Sequence, residues 1–174
     1  MTFGFRWRDV SDSICEMPIE SVDLSQIDDK HPAVQFHHYW QGLAGGAVPA
    51  RSLFSPSHVK PLLRWLMLFQ QVVEGDEDKY LLTLQGTSSA ELTHGTLQGL
   101  YLDQFTATGC YLDRRRMMRM AIETGEPQYG ETTMASSNAI NTAIYIGAFP
   151  FSTGGLPQIF MFAAPKDLNL RQLL

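Results

Sequence analysis

Two segments toward the end of the chain are apolar on both sides of a two-residue alternation. In Ala139 to Phe149, Ile140, Thr142, Ile144, Ile146 and Ala148 alternate with Asn141, Ala143, Tyr145, Gly147 and Phe149. In Gln158 to Ala163, Ile159, Met161 and Ala163 alternate with Phe160 and Phe162. A strand that is apolar on both faces can leave neither in water, so it belongs inside a sheet that is covered twice. One face is expected to pack an inner cavity. The other needs a cover from the N-terminal helix or from a second subunit.

The rest of the chain supplies candidates for both covers. Residues 1–30 are mixed and polar and read as an arm with weak structure of its own. From Ala33 to Leu43, Phe36, Tyr39, Trp40 and Leu43 recur at helical spacing, with Pro32 suited to the first turn and Gly45-Gly46 to the end. Ser55-Pro56 opens a short helix. Residues 65–73 and Lys79 to Gln85 read as a hairpin joined by the polar run 74–78, with Tyr80, Leu82 and Leu84 on one face. Thr87 to His94 makes one or two helical turns, and a longer helix spans 113–124, closed by Gly125. Three strands follow, about Gln128–Ala135, Ala139–Phe149 and Leu156–Ala163. Runs of strands separated by helices, without βαβ alternation, predict an α+β fold with a five-stranded antiparallel sheet, flanking helices and an N-terminal helix. The expected domain covers 31–165, with 166–174 as a tail.

The element order, two strands, helices and three strands behind a leading helix, is that of the PAS fold. The residues also carry a resemblance. Tyr39-Trp40-Gln41-Gly42-Leu43, then Gly45-Gly46, Pro49-Ala50-Arg51 and Phe54-Ser55-Pro56, resemble the opening of a bacterial family of short PAS-like proteins. Further matches are Leu84-Gln85-Gly86-Thr87, Gly95-Thr96-Leu97-Gln98-Gly99, Glu123-Thr124-Gly125-Glu126-Pro127 and Phe149-Pro150-Phe151-Ser152. Together they run over about residues 31–165. The resemblance implies a PAS-type fold with a sensory or regulatory role in signal transduction, and supplies no ligand. The Asn-Cys-Arg motif of flavin photosensors of this fold is missing from Gln98–Asp103, and Cys110 lies several residues later. Cys110 is therefore read as a buried small hydrophobe.

Composition narrows the function classes. A net charge of −5 argues against general binding of a nucleic-acid backbone. No window approaches the roughly 20 apolar residues that span a bilayer, and Met1 to Arg8 lacks the core of a signal peptide. Two distant cysteines, Cys15 and Cys110, suggest a reducing cytoplasm. His37 and His38 are adjacent and diverge by about 100° on a helix, which suits no shared metal ion. His94 stands where such a fold can place a haem ligand. No nucleophile elbow or phosphate-binding glycine loop occurs, so no catalytic or metal-binding residue is nominated and the cofactor is unknown.

The most informative local pattern is 113–119, Asp-Arg-Arg-Arg-Met-Met-Arg. On a helix, Met117, Met118, Ala121 and Ile122 form one apolar stripe, with Arg114 inside it and Arg116 and Arg119 opposite. Arg114 either offers its guanidinium fork to an anionic ligand or snorkels to water over the core. The expected pocket lies between this helix and the strand carrying Asn141 and Tyr145. Arg114, Asn141 and Tyr145 are its expected polar groups, and Met118 and Ile122 its walls. Phe36, Tyr39 or Trp40 is expected to anchor a homodimer or to cover the outer sheet face. With about ten residues after Ala163, a signal would pass by association with a protein partner. The competing readings are an interaction adaptor with a filled core and a small cone-shaped α+β enzyme.

Overall fold

The computed structural model describes residues 18–106, 108–135 and 141–168. They form an α+β fold around one antiparallel sheet. The strands are β1 (Glu20–Ser21), β2 (Leu66–Glu74), β3 (Glu77–Gln85), β4 (Gln128–Ala135), β5 (Asn141–Phe151) and β6 (Gln158–Pro165). Their spatial order is β1-β4-β5-β6-β2-β3, so the sheet has six strands where five were expected. The additional one is β1, whose Glu20 and Ser21 pair with Glu131 and Gly130 at the β4 edge. Two residues carry no periodic signal. They come from the segment read as an arm, which is also anchored at Ile27, buried against Val34 and Tyr145.

β5 and β6 are the central strands, and both of their faces are covered. The outer face takes helix α1 (Pro32–Ala44) and a 3₁₀ stretch, Pro56–Trp65. Pro32 sits at the first position of α1, and the His31 side chain caps it by accepting the Ala33 N–H through Nδ1. The other ring nitrogen of His31 then carries the proton and donates to the Ala164 carbonyl, 3.1 Å away. Phe36 is fully buried, its ring 4.2 Å from that of Phe162 and 4.9 Å from that of Phe149. Trp40 Nε1 donates to the Pro150 carbonyl at 2.9 Å. Gly147 allows this close packing, because a Cβ there would stand 2.9 Å from Ala33 Cβ.

Of the two expected roles for the leading helix, the structure shows the second. α1 covers the sheet of its own chain, and Phe36 and Trp40 are consumed in doing so. Tyr39 keeps partial exposure, and its hydroxyl accepts the Ser55 N–H at 2.8 Å. None of the three is presented as a free aromatic anchor.

The inner face carries α2 (Thr87–Leu92), α3 (Leu102–Phe105) and α4 (Thr108–Thr124). α4 begins five residues before the expected start at 113, and so gains Cys110 on its buried stripe. Cys110 is disulfide-bonded, which corrects its reading as a lone small hydrophobe. The sequence holds one other cysteine, Cys15, outside the described residues. The Ile19 N–H donates to Asp113 Oδ2 at 3.1 Å, so the N-terminal segment returns to α4 within one turn of Cys110.

The hairpin also departs from its simple pattern. β3 runs from Glu77, because Gly75, with φ +62°, makes the turn tighter than the polar run suggested. Phe69 pairs with Leu82 but Leu68 pairs with Leu84, leaving Thr83 as a bulge. One extra residue reverses the alternation. Tyr80 and Leu82 therefore point into the core while Leu84 is 45% exposed.

Candidate functional site

The helix α4 decides the chemistry of the inner layer. Cys110, Arg114, Met117, Met118 and Ala121, spaced by four, three, one and three residues, are all buried against the sheet. Arg114 thus occupies an interior position of an apolar stripe, and only 6% of it is exposed. It does not snorkel. Its Nη1 atom is buried without a hydrogen-bond partner among the described residues. Burial pulls its pKa down to about 10, opposed by the charge of Asp113. The group stays cationic at neutral pH all the same. The charge of Asp113 offsets part of that burial cost, although the same carboxylate also pairs with Arg116 and accepts the Ile19 N–H.

Arg114 borders a closed cavity of about 20 Å³. The sheet supplies its floor through Met67, Phe69, Met134 and Met161, and α3 closes one side with Leu102 and Phe105. Met67 and Met161 are direct cross-strand partners on β2 and β6. The third side is the end of α2, with Ser89, Leu92 and Thr93. Ser89 Oγ is buried and, like Arg114 Nη1, lacks a partner among the described residues. Thr93 is satisfied: its hydroxyl accepts from Gln85 Nε2 and donates to the Gly95 carbonyl, both at 2.9 Å. Gln85 in turn accepts the Leu97 N–H at 2.7 Å, which pins the α2–α3 connection to β3. Gly86, at the start of α2, fits because it has no side chain: a Cβ would stand 2.2 Å from the Leu63 carbonyl oxygen.

The other expected site residues stand elsewhere. Tyr145 is buried on the opposite face of the sheet, where its ring meets His31 edge-on at 5.7 Å and its hydroxyl donates to the Gln26 carbonyl at 3.4 Å. Its inward neighbours are Ile144 and Ile146, so the expected pairing of Arg114 with Tyr145 is corrected by one residue of register. Asn141 opens β5 opposite Ala135, and its side chain lies outside the described residues. Met118 is fully buried in the inner core beside the cavity without lining it. Ile122, one turn further, borders a different hollow.

That second hollow is an open groove of about 250 Å³ between the hairpin and the end of α4, with Gln71, Asp78, Arg119 and Ile122 on its walls. It is wider, but the Asp78 carboxylate on its wall is already matched. Asp78 pairs with Arg115 at 2.6 Å and Arg119 at 3.6 Å, and accepts from the Tyr80 hydroxyl at 2.9 Å. Although burial opposes ionisation of Asp78, these partners hold its pKa below the usual value. The small cavity is the place where charge and hydrogen bonding stay unmatched.

The histidines fall outside both hollows. His94 is exposed, at φ +57° in the α2–α3 connection, and does not reach the cavity where a haem ligand would be needed. His37 bonds the Tyr129 hydroxyl, tying α1 to β4. Among the described residues no three His, Cys, Asp or Glu side chains gather in a way that could hold a metal ion. Nor is any described helix long and apolar enough to cross a membrane. Comparison with protein-family models finds no match to this chain, and comparison with curated proteins finds none either.

Proposed function

We propose that this protein is a PAS-type sensory domain that takes up a small molecule beside Arg114 and passes the signal to a protein partner. The observation that carries this reading is the buried guanidinium nitrogen, unpartnered among the described residues, at a mostly apolar cavity. A few convergent polar groups among apolar walls are the mark of a ligand site. The sequence resemblance and the order of strands and helices support the PAS assignment. The cavity wall supports a non-catalytic role: general acid–base chemistry calls for a group that titrates near the working pH, and among the described residues the ionisable one on the wall is an arginine.

A second reading has one observation in its favour. A cavity of about 20 Å³ is nearly filled, as expected of an adaptor that binds proteins and no ligand. The disulfide at Cys110 favours an oxidising setting over the reducing cytoplasm suggested by the cysteine count.

Thermal-shift titration with small anions and their neutral analogues separates the readings. Anions should raise the melting temperature of wild type and of Arg116→Met. Arg114→Met should lose about 2–5 kcal/mol of binding, the cost of removing one member of a buried charge pair. Equal responses of the two variants would reject the site.

A further inference from the structure

We infer that the cavity beside Arg114 binds one small monovalent anion of halide size. This rests on reading the cavity as the ligand site and adds what the ligand is. Size sets the first limit. A cavity of about 20 Å³ holds a single particle comparable to one water molecule. A drug-sized organic ligand would need roughly 300 Å³ or more.

Hydrogen bonding sets the second limit. Arginine nitrogens only donate, so what Arg114 Nη1 lacks is an acceptor. Ser89 Oγ, the other unpartnered atom on the wall, can rotate its hydrogen toward the same acceptor. Thr93 is excluded as that acceptor's competitor because its hydroxyl is engaged with Gln85 and Gly95.

Charge sets the third. A buried cation without a counter-charge is costly, and a water molecule would satisfy its donor without neutralising it. Among the described residues no carboxylate lines the cavity, and Asp113, which offsets the burial of Arg114 only in part, is also engaged by Arg116 and Ile19. One anion of charge −1 leaves the interior neutral, whereas sulfate or hydrogen phosphate as dianions would leave an excess negative charge. The remaining wall is polarisable: Met67, Met134 and Met161 contribute thioethers, which suit a large soft ion better than a strongly hydrated one.

The test uses the whole chain at constant ionic strength, exchanging sodium gluconate for sodium bromide. Gluconate is too large to enter. Wild type is expected to gain about 3–5 °C in melting temperature for each tenfold rise in bromide above its dissociation constant. Ser89→Ala should show the same dependence displaced to higher bromide. Arg114→Met, which removes the unpaired charge, should be more stable than wild type in gluconate and indifferent to bromide. Crystals grown in bromide should give an anomalous peak within hydrogen-bond distance of Arg114 Nη1. A wild type that melts alike in both salts, with no such peak, overturns the halide assignment. If formate or acetate then stabilises wild type and not Arg114→Met, the ligand site stands and only the inferred ligand falls. If no anion distinguishes wild type from Arg114→Met, both fall together.

Discussion

Replacing Gly147 with alanine adds one methyl group at the place where α1 lies closest to the sheet. The new Cβ would stand 2.8 Å from Phe149 Cε2 and 2.9 Å from Ala33 Cβ. Carbon atoms in good contact lie about 3.5–4.0 Å apart, so one side must retreat by about 1 Å. The Phe149 ring has little room, since the Phe36 ring is 4.9 Å from it. Ala33 has no side-chain torsion with which to move its Cβ, so the helix itself must lift and loosen Phe36 from Phe149 and Phe162. Overpacking of this kind costs about 1–3 kcal/mol. For a chain of this size that is a fall of about 3–9 °C in melting temperature. The assay is urea unfolding and thermal melting of Gly147→Ala beside Gly154→Ala, a loop glycine with nothing within 4 Å of its Cβ position. The Gly154 variant should match wild type or gain slightly. Ala33→Gly combined with Gly147→Ala should recover part of the loss, as expected for two groups in contact. An unaltered Gly147→Ala would mean that this face of β5 does not meet α1. Tyr145 would then be free to face the cavity, and the site would have to be redrawn.

Three further outcomes follow from the same packing. Phe36→Ala should cost about 3–5 kcal/mol of folding stability by urea unfolding; a variant of normal stability but altered sedimentation would instead make Phe36 an interface residue. Tyr145→Phe removes the 3.4 Å bond to Gln26 and the hydroxyl's interaction with Lys166, neither of them at the cavity, so it should leave anion-dependent melting unchanged, and loss of that dependence would return Tyr145 to the site. His31 is held neutral mainly by burial, with a pKa below the usual 6.5, whereas the unfolded chain takes up the proton near pH 6.5. Stability should therefore be full above pH 6.5 and decline as the pH falls below it. His31→Asn, which keeps a capping oxygen and does not titrate, should flatten part of that decline in urea midpoints measured from pH 8 to pH 5, and an identical pH profile would refute the assignment.

The double-sided apolar pattern of β5 and β6 was enough to require two covers; α4 was legible as the inner one from the spacing of Met117, Met118 and Ala121, whereas the spacing of Phe36 and Trp40 left the outer cover open between α1 and a second subunit. The placement of Arg114 inside the buried stripe was legible for the same reason. Which side of β5 faced the cavity was not. When both faces are apolar, alternation groups the residues into two sets and leaves open which set points inward. Gly147 held the missing signal, because a glycine inside a strand marks close approach of another backbone, and its parity with Tyr145 assigns both to the α1 side. The cavity walls were hidden for a different reason. Met67, Met134 and Met161 lie on three strands that only the sheet order brings together, and Ser89 belongs to a six-residue helix too short to show a periodic face. The bulge at Thr83 and the two-residue β1 are likewise products of pairing that leave no trace in local composition.

The central claim is that a ligand enters the cavity at Arg114, and methyl NMR of the methionines tests it most directly. Met67, Met134 and Met161 line the cavity, while Met120 lies 44% exposed on the far side of α4 as an internal control. Titrating methyl-labelled protein with bromide should shift the three cavity methionines together with one dissociation constant, and gluconate should shift none of them. Met120 should stay fixed, and Arg114→Met should show no shifts among the cavity methionines with the same anions. Shifts confined to Met120 or other surface methyls, or cavity shifts that persist in Arg114→Met, would contradict the account.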